Sequence, residues 1–142
     1  MSEINTEYLQ KCIDTLSKSY ELLKKADEGS VDYEVFRNAL VKGFELVLEQ
    51  SGKLLKKRIT PYLSSKKAAD ELSFKDIFRN AHKHSLLSAD EVSRWFEYRD
   101  NRNSTAHDYG RAFAEQTLTL IESFLADVKN LKKVIENDQP EE

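Results

Sequence analysis

A polar segment in the carboxyl-terminal third of the chain carries the side chains best suited to chemistry. Arg102 and His107 lie within a stretch from Tyr98 to Gly110 that, apart from two tyrosines, has no apolar side chain larger than alanine. An imidazole can accept a proton and a guanidinium can hold a phosphate, so this pair could cleave RNA without a metal ion. His107 would remove the proton of a 2′-hydroxyl, and Arg102 would stabilise the charge that develops on the phosphate, giving a 2′,3′-cyclic phosphate end.

The spacing of these two residues requires a helix break between them. At roughly 100° per residue, positions five apart on one helix point about 140° away from each other. The segment Thr105–Asp108 resembles a capping box, so Thr105 is predicted to be the N-cap of a new helix. His107 would then lie in the first turn, where the helix dipole and Arg102 favour a neutral imidazole that can act as a base. A second interpretation stays open, in which both side chains cap helices or pair with nearby carboxylates.

The overall charge argues against a protein that coats nucleic acid along its whole surface. Twenty-two Lys and Arg against 25 Asp and Glu give a formal net charge of −3, so any contact with nucleic acid must be local. The longest window without an acid runs from Gln50 to Ala69 and supplies a candidate RNA-binding patch. The alternative is that these charges complement the dipole at a helix C-terminus. The patch consists of Lys53, Lys56, Lys57 and Arg58.

Composition and hydrophobic spacing predict an all-α protein. Four Gly and two Pro are too few for the turns of a β-sandwich, and apolar residues recur every three or four positions in several segments. We expect an antiparallel four-helix bundle with an additional short helix. Capping boxes at Ser73 and Ser88 predict two helix starts, whereas residues 61–72 fit a short helix and a loop equally well.

A single domain fits the length of the chain. The 142 residues are enough for one core, and we assign residues 1–136 to one domain and 137–142 to a disordered acidic tail.

The lone Cys12 lies on an apolar helical face and is expected to be a buried, inert thiol. No metal site or cofactor is predicted, because there is one cysteine and no His-Glu-x-x-His spacing. The sequence has no apolar run long enough for a membrane span and no signal-peptide pattern, so we expect a cytoplasmic protein without membrane contact.

The segment around Arg102 resembles a known motif. Arg102-x4-His107-x-Tyr109 is similar to the R-x4-H-x-Y motif of HepT-like toxins in the HEPN superfamily. The surrounding sequence, over residues 32–130, resembles the nucleotidyltransferase substrate-binding proteins. The stretches that carry this second resemblance are Phe36–Glu49, Phe74–Ala81 and Trp95–Asn103.

The resemblance implies a HEPN-like helical homodimer in which two Arg102/His107 motifs face one another across a cleft where RNA is cut. It also implies a partner, a minimal nucleotidyltransferase that acts as antitoxin by transferring AMP from ATP to Tyr109. Such a modification would fill the anion site beside the two motif residues and neutralise its charge. The expected function is therefore a metal-independent endoribonuclease toxin of a toxin–antitoxin pair.

Two further residues are predicted to support the site. Asn103 would position Arg102 or a substrate phosphate, or else cap the end of the preceding helix. Arg99 would form a local ion pair with Asp100 or support Arg102.

The alternative function is a non-catalytic substrate-binding subunit of a two-component nucleotidyltransferase, which would use the same groove. An interaction scaffold without chemistry fits the helices but leaves the motif unexplained.

Overall fold

The computed structural model describes residues 4–104 and 111–137. Within these residues the chain forms six α-helices and one turn of 3₁₀ helix at Thr60–Tyr62, and no strand. The predicted all-α fold is confirmed. The helices are α1 (Glu7–Lys25), α2 (Val31–Ile59), α3 (Lys66–Asp70), α4 (Phe74–Lys83), α5 (Ala89–Ser104) and α6 (Arg111–Glu136).

Helix α2 is the centre of the bundle, because α1, α4, α5 and α6 all contact it. The turn from α1 into α2 contains Gly29 with φ at 89°, a left-handed conformation that glycine adopts without strain. Ser30 then caps α2 by accepting a hydrogen bond from the backbone N–H of Tyr33 at 3.0 Å. The four long helices α1, α2, α5 and α6 make the bundle, and α4 is the additional short helix.

Five aromatic side chains fill the middle of the core. The ring of Trp95 lies 5.0 Å from Phe78, 5.4 Å from Tyr98 and 5.7 Å from Phe124, measured between centroids. Phe44 and Phe124 are 4.6 Å apart, and all five side chains are at most 1% exposed. Since these rings come from α2, α4, α5 and α6, the core fixes the helix that carries Arg102 against the rest of the bundle.

A glycine in α2 allows α4 to approach closely. A Cβ at Gly52 would lie 2.9 Å from two ring carbons of Phe74, closer than van der Waals contact permits. The same helix has Gly43 opposite Leu16, where a Cβ would meet the Cδ1 methyl group at 3.2 Å. The missing side chain at position 52 therefore lets the Phe74 ring rest directly on the α2 backbone.

The segments between the long helices follow their local signals. Both predicted capping boxes are present, with Ser73 accepting from the N–H of Asp76 and Ser88 from the N–H of Glu91, each at 3.1 Å. Residues 61–72, for which the sequence left a short helix and a loop equally open, contain most of the 3₁₀ turn and the whole five-residue helix α3. Cys12 is buried, as expected. No helix in the described part of the chain is long and apolar enough to cross a membrane.

Candidate functional site

Arg102 lies in the last turn of α5, where its side chain is half-buried. Helices α5 and α6 run antiparallel, so Arg102 and the start of α6 at Arg111 are at the same end of the bundle. The chain leaves α5 after Ser104 and is in α6 from Arg111 onward, and the predicted break between Arg102 and His107 stays a prediction. His107, Tyr109 and the predicted N-cap Thr105 lie outside the described residues, and so do residues 138–142 of the predicted tail.

A row of polar contacts, here called the polar seam, joins α5 to α6 along their length. The residues on α5 are spaced three or four positions apart and therefore share one face of that helix. The five contacts are Glu91 with Asn130, Arg94 with Asp127, Tyr98 with both Asp127 and Ser123, and Asn101 with Thr117.

Asp127 is the acceptor at the middle of the polar seam. Arg94 donates to both of its carboxylate oxygens, from Nε at 2.8 Å and from Nη2 at 2.9 Å. The Tyr98 hydroxyl donates to Oδ2 at 2.5 Å and lies 2.9 Å from the Ser123 hydroxyl. Burial, followed by the hydrogen bond to Asp127, raises the pKa of Tyr98 far above its ordinary value. Its phenol therefore stays protonated and serves as a fixed donor.

The last contact of the polar seam comes directly before the motif arginine. The Asn101 amide donates from Nδ2 to Thr117 Oγ1 at 3.1 Å, and both side chains are buried. This bond ties the final turn of α5, and with it the backbone of Arg102, to α6. Asn103 lies in the same turn, one residue before the end of α5; its role remains a prediction.

The predicted ion pair between Arg99 and Asp100 is wrong, because both residues contact α4 instead. The guanidinium of Arg99 lies 4.9 Å from the centroid of the Phe74 ring, and Asp100 pairs with Lys75 at 2.7 Å. The two side chains point to different partners on α4, since that helix packs beside the last turns of α5. They brace α5 near the motif, and any support that Arg99 gives to Arg102 stays a prediction.

The candidate RNA-binding patch on α2 is divided by the fold. Lys56 pairs with Asp70 of α3 at 2.9 Å, so the expectation of a patch without counter-charge is wrong at this residue. Arg58 donates to the carbonyls of Val134 at 3.3 Å and Asn137 at 3.1 Å, where it complements the end of α6. Lys53 and Lys57 remain exposed.

Two of the patch lysines meet Arg99 in a shallow groove between α2, α4 and α5. The groove has a volume of about 210 Å³ and contains Lys53, Lys56 and Arg99 around the Phe74 ring, with Glu49 at its edge. Lys57 and Arg58 are not part of it. Because Lys56 is paired with Asp70, only Lys53 and Arg99 remain to offset Glu49, and the volume of the groove is below the range of a pocket for a small molecule.

The residues that the structure describes contain no cluster of metal-ligating side chains. No group of three or more His, Cys, Asp and Glu side chains among them could hold a metal ion. Two of the three histidines of the chain lie away from the motif. His82 is 3.0 Å from the carbonyl of Leu87, and His84 stacks on Tyr62 with centroids 4.3 Å apart.

Sequence comparisons identify related proteins. Residues 5–137 match the family described as "Nucleotidyltransferase substrate binding protein like". A curated protein of Haemophilus influenzae, named "Probable ribonuclease HepT", is 26% identical over 129 residues, which cover 88% of this chain and 87% of that protein. The match therefore extends over nearly the whole of both sequences.

Solved structures share the fold. A Haemophilus influenzae structure described as the fold of a substrate-binding domain of a nucleotidyltransferase superposes with a TM-score of 0.80 at 24% identity, covering 92% of this chain and 98% of that one. A Thermus thermophilus protein has a TM-score of 0.69 at 22% identity, covering 89% and 98%. At these identities the likeness concerns the fold.

Proposed function

The chain belongs to the family of nucleotidyltransferase substrate-binding-like proteins, and from this premise we propose that it is a metal-independent endoribonuclease controlled by a partner nucleotidyltransferase. The observation that carries the proposal is the position of Arg102 at the end of α5, beside the start of α6. The other motif residues, His107 and Tyr109, lie in the sequence between Ser104 and Arg111. The name of the Haemophilus influenzae relative, "Probable ribonuclease HepT", supports the same chemistry.

The proposed reaction is an internal transesterification of RNA. His107 accepts the proton of a 2′-hydroxyl, and the 2′-oxygen attacks the adjacent phosphorus. The bond to the 5′-oxygen breaks, and that oxygen takes a proton from solvent, which leaves a 2′,3′-cyclic phosphate and a 5′-hydroxyl. Arg102 stabilises the additional negative charge on the phosphate in the transition state.

The polar seam contributes by holding Arg102 in place. A guanidinium accelerates the reaction only when it is fixed where charge develops, because reorganisation during the reaction would cost part of the gain. The bond from Asn101 to Thr117 and the pair of Asp100 with Lys75 anchor both sides of the turn that carries Arg102. Two copies of the chain would place two such motifs across one cleft in the homodimer.

Control by the partner would act on Tyr109. Its phenolic oxygen attacks the α-phosphorus of ATP in the nucleotidyltransferase, AMP is transferred and pyrophosphate leaves. The new phosphodiester puts a negative charge and a bulky nucleoside beside Arg102 and His107. The toxin would thereby lose both the positive charge of its anion site and the space for RNA.

A second function is a substrate-binding subunit without nuclease activity. It is favoured by the Haemophilus influenzae structure, which is described as a substrate-binding domain of a nucleotidyltransferase. In that case the same end of the bundle would present Tyr109 or another acceptor to the partner, and Arg102 would bind a phosphate without promoting cleavage.

Incubation of the purified chain with RNA in EDTA tests the nuclease. We expect cleavage by the wild-type chain and none by His107→Ala. His84→Ala is the matched control, since His84 stacks on Tyr62 away from the motif. Cleavage that requires a divalent metal, or that both histidine variants retain equally, would contradict the proposal. No cleavage together with AMP transfer would favour the substrate-binding subunit.

Mass spectrometry of the chain after incubation with its partner and ATP tests the control. We expect the mass of one AMP on Tyr109 and a loss of nuclease activity in step with its incorporation. Tyr109→Phe should stay unmodified, while Tyr8→Phe, at an exposed tyrosine of α1, should be modified like the wild type. Equal modification of Tyr109→Phe would exclude this residue as the acceptor.

A further inference from the structure

Arg37 differs from the other half-buried basic residues that the structure describes. Most of these are held by an ion pair, by a hydrogen bond to a carbonyl or by an aromatic ring. Arg37 has no ion pair, hydrogen bond or ring contact within residues 4–104 and 111–137, although its side chain is half-buried. A partly desolvated guanidinium without an anion is unfavourable. The held residues are Lys56, Arg58, Lys75, Arg94, Arg99 and Lys132, and Arg102 also has an interaction.

Arg37 lines a cavity between α2 and the first turn of α6. The cavity has a volume of about 330 Å³, at the lower end of the range for ligand pockets. Arg37, Val41 and Glu45 follow one row of α2, and Asn38 and Lys42 follow the neighbouring row. Ala114 of α6 closes the opposite wall.

The position of the cavity connects it with the motif. Ala114 lies three residues after the start of α6 at Arg111, and the segment with His107 and Tyr109 comes directly before that start. Arg102 lies in the last turn of α5, at this same end of the bundle. A polymer bound at the motif would therefore extend along a surface that includes the cavity.

We propose that Arg37, Lys42 and Asn38 form a phosphate subsite for the RNA backbone next to the cleavage site. The guanidinium would bind two oxygens of one phosphodiester, the Lys42 ammonium would add a point charge, and the Asn38 amide would donate a hydrogen bond. Glu45 lies one helical turn beyond Lys42, where its carboxylate repels a phosphate and can accept from a ribose hydroxyl. The subsite rests on the proposed function, since it takes the substrate of that reaction.

Binding of a short fluorescein-labelled 2′-O-methyl oligoribonucleotide, followed by fluorescence anisotropy at several salt concentrations, tests the subsite. This probe cannot be cut because its 2′-oxygen is blocked. We expect Arg37→Gln to weaken binding about tenfold in 0.1 M salt, as the loss of one charge-assisted contact. The slope of log affinity against log salt should fall by about 0.7. Arg37→Lys should keep the slope and weaken binding less.

Arg79→Gln is the matched control, because Arg79 is an exposed arginine of α4 outside the cavity. It should change the affinity less than twofold. Equal losses in Arg37→Gln and Arg79→Gln would overturn the proposal, since they would reflect net charge alone. Unchanged RNA binding by Arg37→Gln together with weaker ATP binding would also overturn it and assign the cavity to a nucleotide. Far-UV circular dichroism checks that each variant is folded.

Cleavage of unmodified RNA, measured in parallel, separates this inference from the proposed function. If the wild-type chain does not cut RNA and Arg37→Gln still selectively loses affinity for the probe, the subsite stands and the nuclease fails. If the wild-type chain cuts RNA and Arg37→Gln binds the probe like the wild type, the subsite fails and the nuclease stands.

Discussion

Replacing Asp127 with alanine removes the acceptor in the middle of the polar seam. The variant loses two hydrogen bonds from Arg94 and one from Tyr98. Breaking a fully buried ion pair costs about 3–5 kcal/mol, but the Arg94 side chain is 42% exposed and regains water. The Tyr98 hydroxyl keeps its contact with Ser123. We therefore expect a loss of about 2–3 kcal/mol in the free energy of unfolding.

Urea unfolding followed by far-UV circular dichroism measures this loss. A double-mutant cycle with Arg94→Ala should give a coupling energy of at least about 1 kcal/mol. The same cycle on Lys132 and Glu136, an i,i+4 pair on α6, is the control and should give about 0.3–0.5 kcal/mol. A stability of Asp127→Ala within about 0.5 kcal/mol of wild type, or equal coupling in both cycles, would refute the structural role of the seam.

Three further predictions test the packing and the polar seam. The pKa of Tyr98 in the folded state lies above the unfolded value of 10.0, so the free energy of unfolding of the wild type should fall above pH 10 by up to about 1.4 kcal/mol per pH unit. Tyr98→Phe should lack this component of the pH dependence. Parallel pH profiles of urea unfolding for the two proteins would contradict the prediction. Gly52→Ala should lower the free energy of unfolding by about 1–3 kcal/mol, because the new Cβ would lie 2.9 Å from the Phe74 ring. Gly43→Ala should be nearly neutral, because its Cβ meets no aromatic ring. Equal effects of the two variants in thermal or urea unfolding would be evidence against the close contact. Thr117→Val should cost about 1–2 kcal/mol in the free energy of unfolding, because it removes the hydrogen bond from the Asn101 amide beside the motif. It should also reduce kcat for RNA cleavage more than it changes KM, and an unchanged kcat would exclude the positioning role.

Sequence signals that depend only on neighbouring residues predicted the helix starts correctly. The capping boxes at Ser73 and Ser88 depend on residues three positions apart, and both are present. The segment 61–72 has no capping box. Its short helix is capped by Ser65 alone and is also held by the pair of Asp70 with Lys56 on α2. Contacts of that kind join distant parts of the chain, and spacing along one segment does not reveal them.

The contacts around Arg102 were less predictable, because they also join residues that are far apart in the sequence. Tyr98 begins the polar segment in the sequence, yet it is fully buried and bonded to Asp127, 29 positions away. The spacing of Arg94, Tyr98 and Asn101 on one face of α5 is the signal that could have indicated a polar interface. Nothing in the sequence distinguishes Arg37 from other surface arginines, because its isolation depends on which carboxylates the fold brings near it.

The end groups of RNA cut by the purified chain in EDTA test the central claim most directly. Mass spectrometry of the fragments should find 2′,3′-cyclic phosphate and 5′-hydroxyl ends with the wild-type chain, and uncut RNA with His107→Ala and with Arg102→Ala. Fragments with 3′-hydroxyl and 5′-phosphate ends, or the same fragments from wild type and both variants, would contradict a 2′-hydroxyl attack promoted by these two residues.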